Sequence, residues 1–309
     1  MILVTGATGF VGQALMRDLA SRSMAYRGAS RRQGTGHLVV GDMTGDTDWS
    51  AALAGAEIVI HLAARTHVLN ETATDPLAAY RAVNVDATLN LARQAARAGV
   101  RQFVFLSSVK VNGERTLPGH PFRESDPPRP EDGYGISKRE AEDGLLALAG
   151  ETGMAVTVLR PPLVYGPGVK ANFASLVRLS TTGLPLPFGA VRNERSLVYV
   201  GNLTDAIIRV LDQPAAAGQV FLVADAERPS ISALVTEIAA AAGKPARQFS
   251  VPPSWISAAL KFLGRGAMAE RLLGSLTVDT GKIHSLLGWT PPSSLQDGLR
   301  ATLGSEPLV

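Results

Sequence analysis

The chain of 309 residues is 46% apolar and 18% charged, a globular profile with room for one large domain or two modest ones. Its 30 basic and 27 acidic residues leave a net charge of +3 with both signs scattered, which argues against a nucleic-acid partner and for a solvated surface with a local anion site. Cysteine is absent, the five histidines lack ligand spacing, and no uncharged apolar run reaches about 18 residues, so disulfides, a metal centre and a membrane span are not expected and a cytoplasmic location fits.

The N-terminus has no charged leader region and enters a strand at once, which argues against a signal peptide. Ile2, Leu3 and Val4 read as a strand buried on both faces, and Val11, Leu15 and Leu19 recur at i, i+4 and i+8 as one buried helix stripe. Between them lie Gly6, Gly9 and Gly12. Glycine supplies positive φ and lacks a Cβ, which lets backbone amides approach a pyrophosphate at a helix N-terminus. The spacing is GxxGxxG rather than the GxGxxG of the dinucleotide fingerprint, but its place between a first strand and a first helix points to a dinucleotide site.

Further strands are predicted at 24–30, 37–42 and 57–64, then a long helix from Asp75-Pro76 to about Ala98. A fifth strand spans 102–108, a Pro-, Gly- and charge-rich surface loop 112–133, a helix Tyr134 to Ala149, and a sixth strand 155–160. This alternation predicts an α/β fold, a doubly wound parallel sheet of the Rossmann type with helices on both faces. Ligands of such sheets lie beyond the carboxyl ends of the strands, which makes Gly6 to Gly12, Arg31, Asp42, Ala63-Ala64 and Ser107-Ser108 neighbours. After Pro161 prolines and glycines thicken. A helix at 202–211 and a strand at 219–224 return to the sheet, so residues 1–165 with about 197–226 form the expected dinucleotide domain. Residues 166–196 with 227–309 form a smaller, discontinuous substrate domain.

Tyr134 and Lys138 stand at i and i+4, on one helix face. Free tyrosine, with a pKa of about 10, is too weak an acid to serve as a base near neutrality, and a neighbouring cation is expected to lower that value. Ser107 and Ser108 close the fifth strand, and one of the two hydroxyls is placed to hydrogen-bond a substrate oxygen beside Tyr134.

In this order, Thr5-Gly-Ala-Thr-Gly-Phe-Val-Gly12, Gly41-Asp42, His61-Leu-Ala-Ala64, Asn84, Ser107-Ser108, Tyr134 to Lys138 and Arg160-Pro-Pro-Leu-Val-Tyr-Gly-Pro-Gly168 carry a resemblance over essentially the full length. The chain resembles an extended short-chain dehydrogenase/reductase of the nucleotide-sugar epimerase/dehydratase group. The resemblance implies that Ser108, Tyr134 and Lys138 are catalytic. It implies that Gly6, Thr8, Gly9, Phe10, Val11 and Gly12 hold the cofactor, with Asp42 and Met43 near adenine and Leu62, Ala63, Ala64 and Ser107 along it. Asn84 would sit behind the site, and Pro161, Leu163 and Val164 would meet the carboxamide. Asn172 and Arg195, and more loosely Arg271, match the positions that grip a nucleoside diphosphate; Arg suits this because its planar fork donates in pairs. Phe188 resembles the residue beside uracil, His67 the one that meets the sugar, and Lys110 is a further candidate contact. Asn112 replaces the usual aromatic. A homodimer through the helices near 76–98 and 134–149 is also implied.

Two details bear on the reaction. The second strand ends in Ser30-Arg31-Arg32 with no acid for the ribose hydroxyls of NAD, and the arginines suit the 2′-phosphate of NADP. NADP(H) is therefore expected, with NAD(H) as the alternative. Val109-Lys110 stands where sugar-nucleotide dehydratases of the family place an Asp-Glu pair, which argues against dehydration. The chain resembles a bacterial subgroup that includes UDP-glucose 4-epimerase-like members and reductases of UDP-4-keto-6-deoxy sugars that form UDP-N-acetylquinovosamine for surface polysaccharide. Net reduction at C4 is expected, 4-epimerisation of a UDP-sugar is the alternative, and a non-catalytic dinucleotide binder is third.

Overall fold

The computed structural model describes residues 1–32, 36–66 and 73–304. Strands β1 (Ile2–Thr5), β2 (Tyr26–Ser30), β3 (His37–Val39), β4 (Ile58–His61), β5 (Gln102–Leu106) and β6 (Ala155–Arg160) form one sheet. The strand Val220–Leu222 completes it, and every pairing is parallel. With Val220–Leu222 last, the order runs β3-β2-β1-β4-β5-β6 and then that strand, so the chain reverses direction across the sheet between β1 and β4. Ligands of open α/β sheets bind at such a reversal.

Helices cover both faces because successive strand residues point to opposite sides. Ile2 and Val4 enter one core with Leu15 and Leu19 of α1 (Phe10–Ser21), whereas Leu3 enters the other with Phe103, Leu91 and Leu145. A short helix α2 (Ser50–Leu53), unforeseen in the sequence, lies on the second face. The predicted helix from Asp75 to Ala98 is three pieces: α3 (Pro76–Arg81), a π-turn (Ala82–Asp86) and α4 (Ala87–Arg97). Asp75 caps the first piece, its Oδ1 accepting from Ala78 N at 3.0 Å. The π-turn seats Asn84 in the interior. There its Oδ1 accepts from Arg65 N at 2.8 Å, and its Nδ2 donates to Arg65 O at 3.0 Å and Ser137 Oγ at 2.9 Å.

Helix α5 (Gly133–Thr152) is longer than expected and starts on an Asp132 cap that accepts from Gly135 N at 2.7 Å. Most strands are shorter. Met24 N still bonds to Leu19 O at 3.0 Å as the close of α1, so β2 begins only at Tyr26, and the ladder of β4 ends at His61 before the chain turns across the sheet edge. Two further strands, β7 (Leu163–Tyr165) and β8 (Leu197–Tyr199), pair in parallel on their own; α6 (Ala171–Thr181) lies between them in sequence. Helix α7 (Val200–Arg209) packs on α1, and the last sheet strand, β9, is Val220–Leu222. The remainder is helical: α8 (Ile231–Ala241), α9 (Pro253–Phe262), α10 (Gly266–Leu273), α11 (Gly281–Leu287) and α12 (Leu295–Gly304). Among the described residues no helix is long and apolar enough to cross a membrane.

Candidate active site

A cleft of about 1220 Å³ opens over the carboxyl ends of β1, β2, β4 and β5, and the glycine turn forms its floor. Gly6 has φ +70°, and a Cβ there would lie 2.7 Å from Ala63 N; one on Gly12 would lie 2.1 Å from Gly6 O. Both positions are closed to any side chain, for conformational and steric reasons respectively. Helix α1 starts at Gly9 with no side-chain cap and no acid in its first turn, so its amides and dipole face the cleft uncompensated. This cradle fits the pyrophosphate of a dinucleotide. Thr8, Gly9, Phe10 and Val11 line the cleft here, and Leu62 and Ala63, packed against Gly6, line it beside them with Ala64.

At the far end Ser107, Ser108, Tyr134 and Lys138 come together, as the sequence predicted. Ser107 and Ser108 differ in orientation. The Ser107 hydroxyl donates inward to Glu142, whereas Ser108 Oγ accepts from Lys110 N at 3.2 Å as the cap of a short 3-10 turn (Val109–Val111) and hydrogen-bonds the Tyr134 phenol. Lys138 is buried. Its Nζ donates to Leu106 O at 2.8 Å and lies 4.3 Å from the Phe105 ring centroid.

The titration of this cluster departs from expectation. Desolvation pushes the Tyr134 phenol up, Asp132 adds to the rise, and the bond to Ser108 opposes it. Desolvation also brings Lys138 down to about 7, with Glu142 opposing. The expected lowering of the Tyr134 pKa by Lys138 is thus absent: burial of the phenol dominates, and the lowering influence on it is the hydrogen bond with Ser108. Tyr80 meets Tyr134 edge-on at 6.3 Å, and the Arg65 guanidinium lies 5.5 Å over the Tyr80 ring.

Other predicted residues are distributed as follows. Asp42, Met43, Pro161 and Val164 line the cleft; Leu163, on β7, and Asn84 do not, the latter standing one layer behind. Arg31 lines the cleft and Arg32 does not. Lys110 is held by Glu114 at 2.8 Å and by Asp132, outside the cleft lining. Asn172 is exposed in the first turn of α6, and Arg271 is exposed on α10. Phe188 is buried among Leu186, Val191, Ile231 and Val235. Arg195 is half-buried, donates to Gly274 O at 3.2 Å, and has its pKa lowered by desolvation. His67 lies outside the described residues.

Sequence reading missed the support beneath the serines. Glu142 joins Ser107 to Arg160, and Arg160 Nη1 donates to Asn112 Oδ1 at 3.0 Å. Asn112 Nδ2 donates to Arg123 O at 2.9 Å, so the residue that replaces an aromatic is buried and tied to protein groups. A signal was available: Glu142 follows Lys138 by four, which puts a carboxylate on the helix face that packs on the sheet.

Residues 2–224 match the NAD dependent epimerase/dehydratase family. A Vibrio cholerae protein, UDP-glucose 4-epimerase, is 46% identical over 307 residues, covering 97% of this chain and 94% of its own. The solved complex of MoeE5 with UDP-glucuronic acid and NAD is 27% identical with a TM-score of 0.76, covering 98% of this chain and 97% of that one. A UDP-glucuronic acid 4-epimerase from Bacillus cereus, solved with NAD, shares the fold at 24% identity and a TM-score of 0.78, covering 98% and 97%.

The NADP(H) expectation drawn from Arg31 and Arg32 is corrected by these findings, since the matching family is described as NAD dependent and MoeE5 was captured with NAD. The structure adds that Arg31 does not stand as a lone cation: its Nη1 lies 3.8 Å from Asp42 Oδ1, a carboxylate from beyond β3 that lines the same cleft.

Proposed function

The chain belongs to the NAD-dependent epimerase/dehydratase family, and on that premise we propose that it is a UDP-sugar 4-epimerase working with NAD(H), with UDP-glucose and UDP-galactose as the first pair to test. The observation that carries this reading is the Tyr134 phenol hydrogen-bonded to Ser108 beside buried Lys138, at the end of a cleft built on the glycine turn. The 46% identity to a UDP-glucose 4-epimerase supports the choice of reaction. Net reduction of a 4-keto sugar, the expectation based on Arg31 and Arg32, gives way with the cofactor assignment on which it rested.

In a 4-epimerisation C4 loses a hydride and O4 a proton to give a 4-ketone; the hydride then returns to the opposite face of C4 and the proton to O4. NAD, when bound along the cleft, supplies the hydride acceptor for the first half and the donor for the second. Tyr134 takes the O4 proton and returns it. Because this phenol begins protonated and desolvated, its deprotonation depends on positive charge gathering around it, from Lys138 and from the oxidised ring. Ser108 donates to O4 and holds it against Tyr134. Arg195 keeps guanidinium donors for a diphosphate, with Asn172 and Arg271 as further anchors and Phe188 near the base. Such anchoring holds C4 in reach during transfer. The proposal includes a homodimer through α3, α4 and α5, to be read by light scattering.

The test is interconversion of UDP-glucose and UDP-galactose by purified protein without added cofactor, together with the dinucleotide released on denaturation. Interconversion and released NAD are expected. Stoichiometric NADPH oxidation with a 4-keto-6-deoxy UDP-sugar, and no interconversion, would overturn the reading.

A further inference from the structure

Helices α9 and α10 form a hairpin whose outer side is more apolar than a water-facing helix should be. Trp255 is 71% exposed, Phe262 92% and Leu263, at the C-cap, 65%. With Ala259 they recur at i, i+4, i+7 and i+8, one continuous stripe along α9. Met268 of α10 is also exposed, and α9 contains no buried residue. The hairpin is nevertheless well anchored. Ile256, Leu272 and Leu273 pack on the Phe188 cluster, and Asn193 Nδ2 donates to Leu272 O and Gly274 O, both at 3.0 Å. A fixed inner face and an apolar outer face distinguish this patch from a frayed end.

Its charge selects the occupant. Across residues 253–273 Lys261, Arg265 and Arg271 stand against the single acid Glu270, and all three cations are exposed. A second copy placed symmetrically on this face would set cations against cations, because an isologous contact pairs a patch with itself. Aromatic and aliphatic side chains flanked by Lys and Arg suit an interfacial helix lying in the headgroup layer of an anionic bilayer, with the long basic stems reaching the phosphates. We propose that the α9–α10 hairpin docks the protein peripherally on an anionic phospholipid surface, with Trp255, Phe262 and Leu263 inserted and Lys261 and Arg265 on the headgroups. This is independent of the reaction assigned to the cleft.

The protein carries its own probe. Trp49 and Trp289 are buried, so a membrane-induced change in tryptophan emission reports on Trp255. The full-length protein is sedimented with vesicles of phosphatidylcholine alone and of phosphatidylcholine mixed with phosphatidylglycerol. Binding is expected to the mixed vesicles only, to fall as salt is raised, and to be accompanied by a blue shift and by quenching from brominated lipid. The Phe262→Ser/Leu263→Ser and Lys261→Glu/Arg265→Glu double variants should each reduce the bound fraction by about tenfold while the thermal midpoint is unchanged. Three outcomes would overturn the proposal: no binding to mixed vesicles, undiminished binding by both variants, or a lipid-free dimer that the Phe262→Ser/Leu263→Ser change dissolves.

Discussion

Glu142 and Arg160 form an ion pair sealed inside the protein, with Nη2 2.5 Å from Oε2, Nε 3.0 Å from Oε1, and side chains 1% and 2% exposed. Through Ser107 and Asn112 the pair ties the end of β5, helix α5, the end of β6 and the loop after Val111 into one unit directly behind Ser108. Glu142→Gln preserves shape but leaves the guanidinium without its counter-charge. A loss of about 3–5 kcal/mol is expected, read from the denaturant midpoint. The Glu142→Leu/Arg160→Met double variant should lose less than Glu142→Gln, because no uncompensated charge remains.

Tyr134→Phe removes the phenolic O–H that hydrogen-bonds Ser108, without altering the ring that meets Tyr80. Turnover should fall by about 10²–10⁴ with little change in KM, since the lost interaction belongs to proton transfer. An unchanged kcat in a steady-state assay contradicts the acid/base role.

Gly12→Ala puts a methyl group 2.1 Å from Gly6 O and 2.9 Å from Ala7 C and Cα, backbone atoms of the turn that cannot rotate away. Dinucleotide affinity, measured by calorimetry, should fall by more than about tenfold, with a lower thermal midpoint.

Lys138 gives a pH signature. The unfolded chain keeps this proton up to its ordinary pKa of 10.5, whereas the folded protein releases it near 7. Between those values the unfolded state binds more protons, so stability rises with pH, and the burial cost is present in full below pH 7. Lys138→Met should be stabilised relative to the parent most strongly below pH 7, with the difference shrinking toward pH 10 in parallel urea titrations. A difference independent of pH would mean that the ammonium is not desolvated.

Asp42→Asn removes the carboxylate that faces Arg31. The ratio of NADPH to NADH affinity should rise, by about tenfold for the loss of one close like charge. Equal effects on both cofactors would show that Asp42 stands away from the adenosine ribose.

The turn at Gly6 and Gly12, the alternation in β1 and the pairing of Tyr134 with Lys138 were legible because each depends on neighbours within a turn or two of the chain. Other features escaped the sequence because they depend on pairs far apart in it. Arg31 read as a phosphate ligand until Asp42, eleven positions on, was found beside it. Lys110 read as a substrate contact, and it lies between Glu114 and Asp132. The helix from Asp75 to Ala98 read as continuous, and the π-turn that buries Asn84 exists because Arg65 and Ser137 offer it partners there.

By itself the sequence determined the parallel sheet, the cradle at its first crossover and the three side chains grouped at its carboxyl edge, since hydrophobic period, glycine stereochemistry and helical spacing are local properties. Tertiary structure alone decided what those groups experience. Which serine hydroxyl turns inward is set by Glu142, and the proton affinities of Tyr134 and Lys138 are set by burial. Charge and desolvation act across space, between residues that only the fold brings together.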